Sequence, residues 1–135
     1  MTEPSTATLV AIRAADHPEA TPQYERVVFE FSGSLPLLRA EYVGELIEDG
    51  SGNPVSLPGT VILRLLFTNA RAHTDAGQPS VARRLVLNLP NVRAVAGAGD
   101  FEGVVTYGIG LMHKAHMRIM TLDAPCRVVV DVLRG

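Results

Sequence analysis

The strongest constraint on the fold of this chain is a period of two in its apolar residues, repeated in several short segments. In Tyr24 to Phe31, Val27, Phe29 and Phe31 alternate with Val28 and Glu30. In 60–68, Val61, Leu63, Leu65 and Phe67 fall on one side and Arg64 on the other. In 101–111, Val105, Tyr107, Ile109 and Leu111 share one side, and Val104, Thr106, Gly108 and Gly110 share the opposite side. In 127–133, Val128, Val130 and Val132 oppose Arg127, Val129 and Asp131. Successive side chains of a pleated strand point to opposite faces, so each segment reads as a strand with one face in a core.

The rest of the chain fits between these strands. Residues 8–14 and 38–45 read as strands, 15–23 as a loop, and Asp49 to Pro54 as a strong turn. Residues 69–90 read as a long loop, with either a short helical turn near Ala70 to Ala76 or a short strand after Arg83. Val92 to Ala96 is a brief strand, followed by a turn at 97–100. Residues 116–122 and 127–133 form a hairpin through 123–125. Twelve Gly and nine Pro supply the turns. Seven to nine short strands with almost no helix predict an all-β fold: a small antiparallel two-sheet β-sandwich or partly closed barrel. A chain of 135 residues fits one domain at 8–135 after a loose lead-in at 1–7.

Composition removes several function classes. The net charge is −2 and Lys114 is the only lysine, so a nucleic-acid surface is not expected. No apolar run approaches the roughly 18 residues a transmembrane segment needs. Met1 to Thr8 lacks the basic start and apolar centre of a signal peptide, which predicts a cytoplasmic protein unless an export signal has been lost. Cys126 is the single cysteine, so no internal disulfide is possible.

Catalytic and metal readings find little support. His113 and His116 lack a third ligand, and Asp123 and Cys126 stand at no recognised ligand spacing, so neither metal nor cofactor is expected. His73 and Asp75 have the types of a base and its orienting acid, which makes a hydrolase one alternative. Its nucleophile would come from Ser80, Ser32 or Cys126, none of which sits in a nucleophile signature. The carboxylate pairs Glu48/Asp49 and Asp100/Glu102 read as turn residues rather than catalytic acids. The Asp49 turn lacks the distal glutamate of a calcium loop, and Gly97 to Gly99 opens no helix for a dinucleotide. A second alternative is a small-molecule site in an inter-sheet pocket near Gly108 and Gly110, where alternate glycines imply close approach. Without Trp, only Tyr24, Tyr42 and Tyr107 are available to stack on a sugar. Val28 and Val129, on otherwise polar faces, suggest a semi-apolar contact surface or a face packed under a loop. The candidate ligand-binding residues are the polar ones on outward strand faces: Arg26, Glu30, Arg118, Arg127 and Asp131. Arg127 and Asp131 are equally placed to form a structural ion pair.

Two segments, Tyr24 to Pro36 and Ala124 to Val132, resemble the AMIN domain, a small β module found beside bacterial cell-wall amidases and secretion proteins. Adding His73 to Gly77 and Asp100 to Leu111, the chain is still more similar to the AMIN-like domains of actinobacterial exported proteins and lipoproteins. The resemblance covers roughly residues 8–133. It implies a two-sheet β fold at the cell envelope. It also implies a non-catalytic binding or localisation role toward peptidoglycan or an envelope protein.

Overall fold

The computed structural model describes residues 6–134. The expected lead-in falls for the most part outside that range, and β1 (Ala7–His17) opens at its last residue. The other strands are β2 (Gln23–Ser32), β3 (Leu37–Val43), β4 (Leu46–Ile47), β5 (Pro54–Val55), β6 (Val61–Thr68), β7 (Ala70–Arg71), β8 (Arg84–Val86), β9 (Val92–Phe101), β10 (Val104–Leu111), β11 (Met117–Leu122) and β12 (Cys126–Arg134). The described residues contain no helix.

Ten of these strands form two five-stranded sheets. The first runs β11-β12-β2-β1-β7 and the second β3-β6-β10-β9-β8, while β4 and β5 make a separate two-stranded ladder. All pairings are antiparallel except the short one between β1 and β7. The fold is therefore the expected all-β sandwich.

Alternation explains the layering. Val27, Phe29 and Phe31 from the first sheet meet Leu63, Leu65, Phe67, Val105, Tyr107 and Ile109 from the second in one apolar cluster. Phe67 joins the sheets directly, with its ring centroid 5.1 Å from both Phe29 and Phe31. The crossover from β10 back to the first sheet is pinned by Tyr42, whose hydroxyl donates to the Ala115 carbonyl at 2.6 Å.

Three local expectations differ from the structure. Residues 15–17 extend β1 instead of starting a loop, because Ala15, Asp16 and His17 stay paired to Arg26, Glu25 and Tyr24. Residues 97–100 belong to β9 and not to a turn. The chain reverses two residues later at Glu102 and Gly103, whose φ values of 52° and 79° suit a tight two-residue hairpin. In 69–90 the short strand read after Arg83 is present as β8, while the helical turn is replaced by β7 and a bridge between His73 and Pro79.

The glycine-bearing face of β10 carries no open pocket. A Cβ on Gly108 would lie 2.6 Å from Leu46 Cδ2, and one on Gly110 would strike the Pro58 carbonyl oxygen. The segment 44–59 lies across this face and buries Leu46, Ile62 and Ala98 in a second small cluster. The close approach inferred from the glycines is real, but the chain itself fills the space, which overturns the pocket expected there.

Candidate functional site

The first sheet turns one face to the core and leaves the other open. The register of β1, β2, β12 and β11 fixes what that open face carries. One cross-strand row is Ala15, Arg26, Asp131 and Arg118. The next is Arg13, Val28, Val129 and Met120. A third is Ala11, Glu30, Arg127 and Leu122. The five candidate residues, scattered between positions 26 and 131, thus share one surface, with Val28 and Val129 between their rows.

Asp131 is the centre of the first row. Its side chain is 0% exposed, yet it carries a charge on an outward strand position. Two guanidiniums cover it. Arg26 donates from Nε to Oδ1 at 2.7 Å and from Nη2 to Oδ2 at 3.0 Å. Arg118 donates to Oδ2 from Nε at 3.2 Å and from Nη2 at 2.8 Å. Burial alone would raise the Asp131 carboxyl. The hydrogen bonds from Arg26 and Arg118 outweigh it and hold the group below its usual range. The same contact raises Arg26. Both guanidiniums also sit over the Tyr24 ring, 5.1 and 5.4 Å from its centroid, and His17 stacks on that ring at 4.7 Å.

The other candidates are arranged differently. Glu30 pairs with Arg13 at 3.0 Å. Arg127 does not pair with Asp131. It donates to the backbone carbonyls of Pro125 at 3.1 Å and Asp123 at 3.4 Å, and so braces its own hairpin turn. Asp131 is saturated by guanidiniums from the neighbouring strands, which reach it directly across the ladder.

Chemically, two arginines sharing one carboxylate leave a net positive charge, and Nη1 of each is not used by Asp131. Such groups bind carboxylates and hydroxyls in a defined plane. In the row beside them Val129 is buried, and half-buried Val28 and Met120 offer the apolar surface for the C–H face of a sugar or an aliphatic chain.

The residues expected to support hydrolysis are not assembled. Asp75 pairs with Arg71 at 2.6 Å, and its side chain is 93% exposed. His73 instead bonds Asp100 through Nδ1 at 2.7 Å. The bridge between His73 and Pro79 turns the intervening residues into a projecting loop, which carries Asp75 away. Ser80 donates its hydroxyl to the Leu9 carbonyl at 2.6 Å, and Cys126 is half-buried against the core. No group of three or more His, Cys, Asp or Glu able to hold a metal occurs among the described residues.

Two functional-looking acids escaped the sequence reading. Asp100, taken as a turn residue, is the partner of His73 across 27 positions. Glu25 is 0% exposed on the core side of β2 and accepts from the Asn91 and Val92 amides at 3.0 and 2.7 Å. Glu25 was legible in principle, since the alternation that points Val27 inward also points residue 25 inward. Asp100 gave no local signal.

No curated protein and no solved structure matches the chain. The family model of the AMIN-like domain matches residues 7–134, nearly all of it. With the two-sheet architecture and the expected strands in place, the chain belongs to the AMIN-like domain family.

Proposed function

We propose that this chain is a non-catalytic binding module of the bacterial cell envelope, and that the open face of its first sheet receives peptidoglycan. Family membership supports a cell-wall-associated role and a place outside the cytoplasm. No helix among the described residues is long and apolar enough to cross a membrane.

The observation that carries the choice of surface is the row of Arg26, Asp131 and Arg118 beside half-buried Val28 and Met120. The opposite sheet has much of its outer face covered by its own chain. Peptidoglycan offers carboxylates and hydroxyls for the guanidiniums and sugar ring faces for the apolar row. An open sheet face suits an extended polymer better than a closed pocket does. Arg118, half-exposed on the edge strand β11, is the residue best placed to meet it.

Co-sedimentation with purified peptidoglycan tests the proposal. The wild-type chain is expected in the pellet, with retention reduced at least several-fold in Arg118→Ala and restored in part by Arg118→Lys. Retention no greater than that of an unrelated acidic β protein sinks the glycan reading. An envelope protein partner on the same face would then be sought by crosslinking at position 118.

A further inference from the structure

We propose that the cavity between the 72–83 loop and strands β9 and β10 binds a small carboxylic acid that carries a hydrogen-bond donor on its α carbon. The cavity measures about 340 Å³ and lies on the second sheet, separate from the open face of the first. Its volume is near the lower end for small-molecule sites, roughly 300–1,000 Å³. Ala72, His73, Arg83, Gly97, Asp100 and Tyr107 form the part of its wall that matters here.

Tyr107 is the first reason. The residue is 2% exposed, and its hydroxyl makes no hydrogen bond among the described residues. The ring is buried in the core, while the hydroxyl stays open to the cavity, where water or a ligand can take its hydrogen bond. Its phenol end lies beneath Gly97, where a Cβ would sit 3.2 Å from Cζ and 3.4 Å from the oxygen. Glycine there leaves the hydroxyl accessible from the cavity. Burial pushes the phenol up to about 12, so at neutral pH it keeps its proton and donates. Arg83 and Asp100 are close enough to influence it with opposite sign.

Arg83 is the second reason. It lines the cavity from an exposed position and forms no ion pair or side-chain hydrogen bond among the described residues. Its own position is set by the backbone, through the Gly97 amide donating to its carbonyl at 2.7 Å. An unpaired guanidinium beside an unpaired hydroxyl makes a donor pair for a carboxylate.

Asp100 and His73 line the same cavity. Asp100 Oδ2 receives the Ala72 amide at 3.1 Å and His73 Nδ1 at 2.7 Å. A carboxylate oxygen cannot donate, so the proton of that second bond lies on Nδ1. In the neutral ring Nε2 is then an acceptor. Two donors and an acceptor lining one cavity match a carboxylate with an α-hydroxyl, α-amine or α-amide. The lining contains no Ser, Thr or Cys, so the site is built for binding rather than acyl transfer.

Calorimetric titration of the full chain with lactate, alanine and N-acetylalanine tests the proposal, with acetate as the probe lacking an α donor. At least one of the three is expected to bind saturably and at least about tenfold more tightly than acetate. Arg83→Ala and Tyr107→Phe should each weaken that binding by about tenfold or more, while Arg39→Ala, at an exposed position of β3 outside the cavity lining, leaves it unchanged. Tighter binding of alanine identifies a free acid as the ligand, and tighter binding of N-acetylalanine identifies a peptide terminus; both support the site. The ligand-free Tyr107→Phe chain should unfold at a temperature no lower than wild type, since the hydroxyl has no internal partner. The proposal is overturned if none of the three binds, if binding survives both substitutions, or if Tyr107→Phe alone destabilises the free chain.

Discussion

Asp131 and Glu25 are both buried carboxylates on strands, and their partners make them different. Asp131 is held by two arginines from adjacent strands, within reach of the ladder itself. Its carboxyl titrates below the ordinary value of 3.8 in the folded chain. A lowered folded value means the network adds stability above the unfolded pKa and loses it as pH falls through the folded one. The urea midpoint should therefore decline with acidification below about pH 4, and Asp131→Asn should show a shallower decline. Glu25 instead ties β2 to the start of β9, more than sixty positions away, and takes a further bond from Arg134 at 3.3 Å. Removing it strands two buried amides and a half-paired arginine. Glu25→Ala should cost roughly 3 kcal/mol in urea unfolding, well beyond an ordinary surface substitution.

At the scale of the element, β10 is the most informative strand. One side supplies Val105, Tyr107, Ile109 and Leu111 to the core, as its alternation required. The other side carries glycines because the 44–59 segment rests on it. The neighbours differ in give: Gly108 faces a leucine side chain, and Gly110 faces a backbone carbonyl. Gly108→Ala should therefore cost about 1 kcal/mol and Gly110→Ala about 3 kcal/mol, ranked by chemical denaturation. Equal effects would mean that the covering segment moves as a unit. The misplaced turn at 97–100 has a related origin. Gly97 and Gly99 are small because Tyr107 and Asp49 approach them, and not because the chain bends there. Glycine permits both a turn and a close approach, and a single strand's sequence does not distinguish them.

For the whole molecule, stability depends on aromatic contact between the sheets. Phe67 lies between Phe29 and Phe31, and Phe29 meets Tyr107 edge-on at 5.9 Å. Phe67→Ala removes the ring common to both sheets. It should cost about 3–5 kcal/mol and shift the thermal midpoint measured by calorimetry down by well over 10 °C. A smaller loss would show that the two sheets close over the gap.

By itself the sequence determined the strands, because a pleated backbone converts a period of two into a buried and an open face. It also placed Arg26, Glu30, Arg118, Arg127 and Asp131 outward, and its motifs pointed to the AMIN-like family that the match over 7–134 establishes. Tertiary structure decided the partnerships. Strand order brought Arg26 and Arg118 onto Asp131 and left Arg127 to its turn. The sandwich brought Asp100 to His73 and left Asp75 with Arg71. Alternation is a local property of one strand, set by side-chain direction. Pairing between distant residues depends on which strands become neighbours, and that follows from packing the whole core.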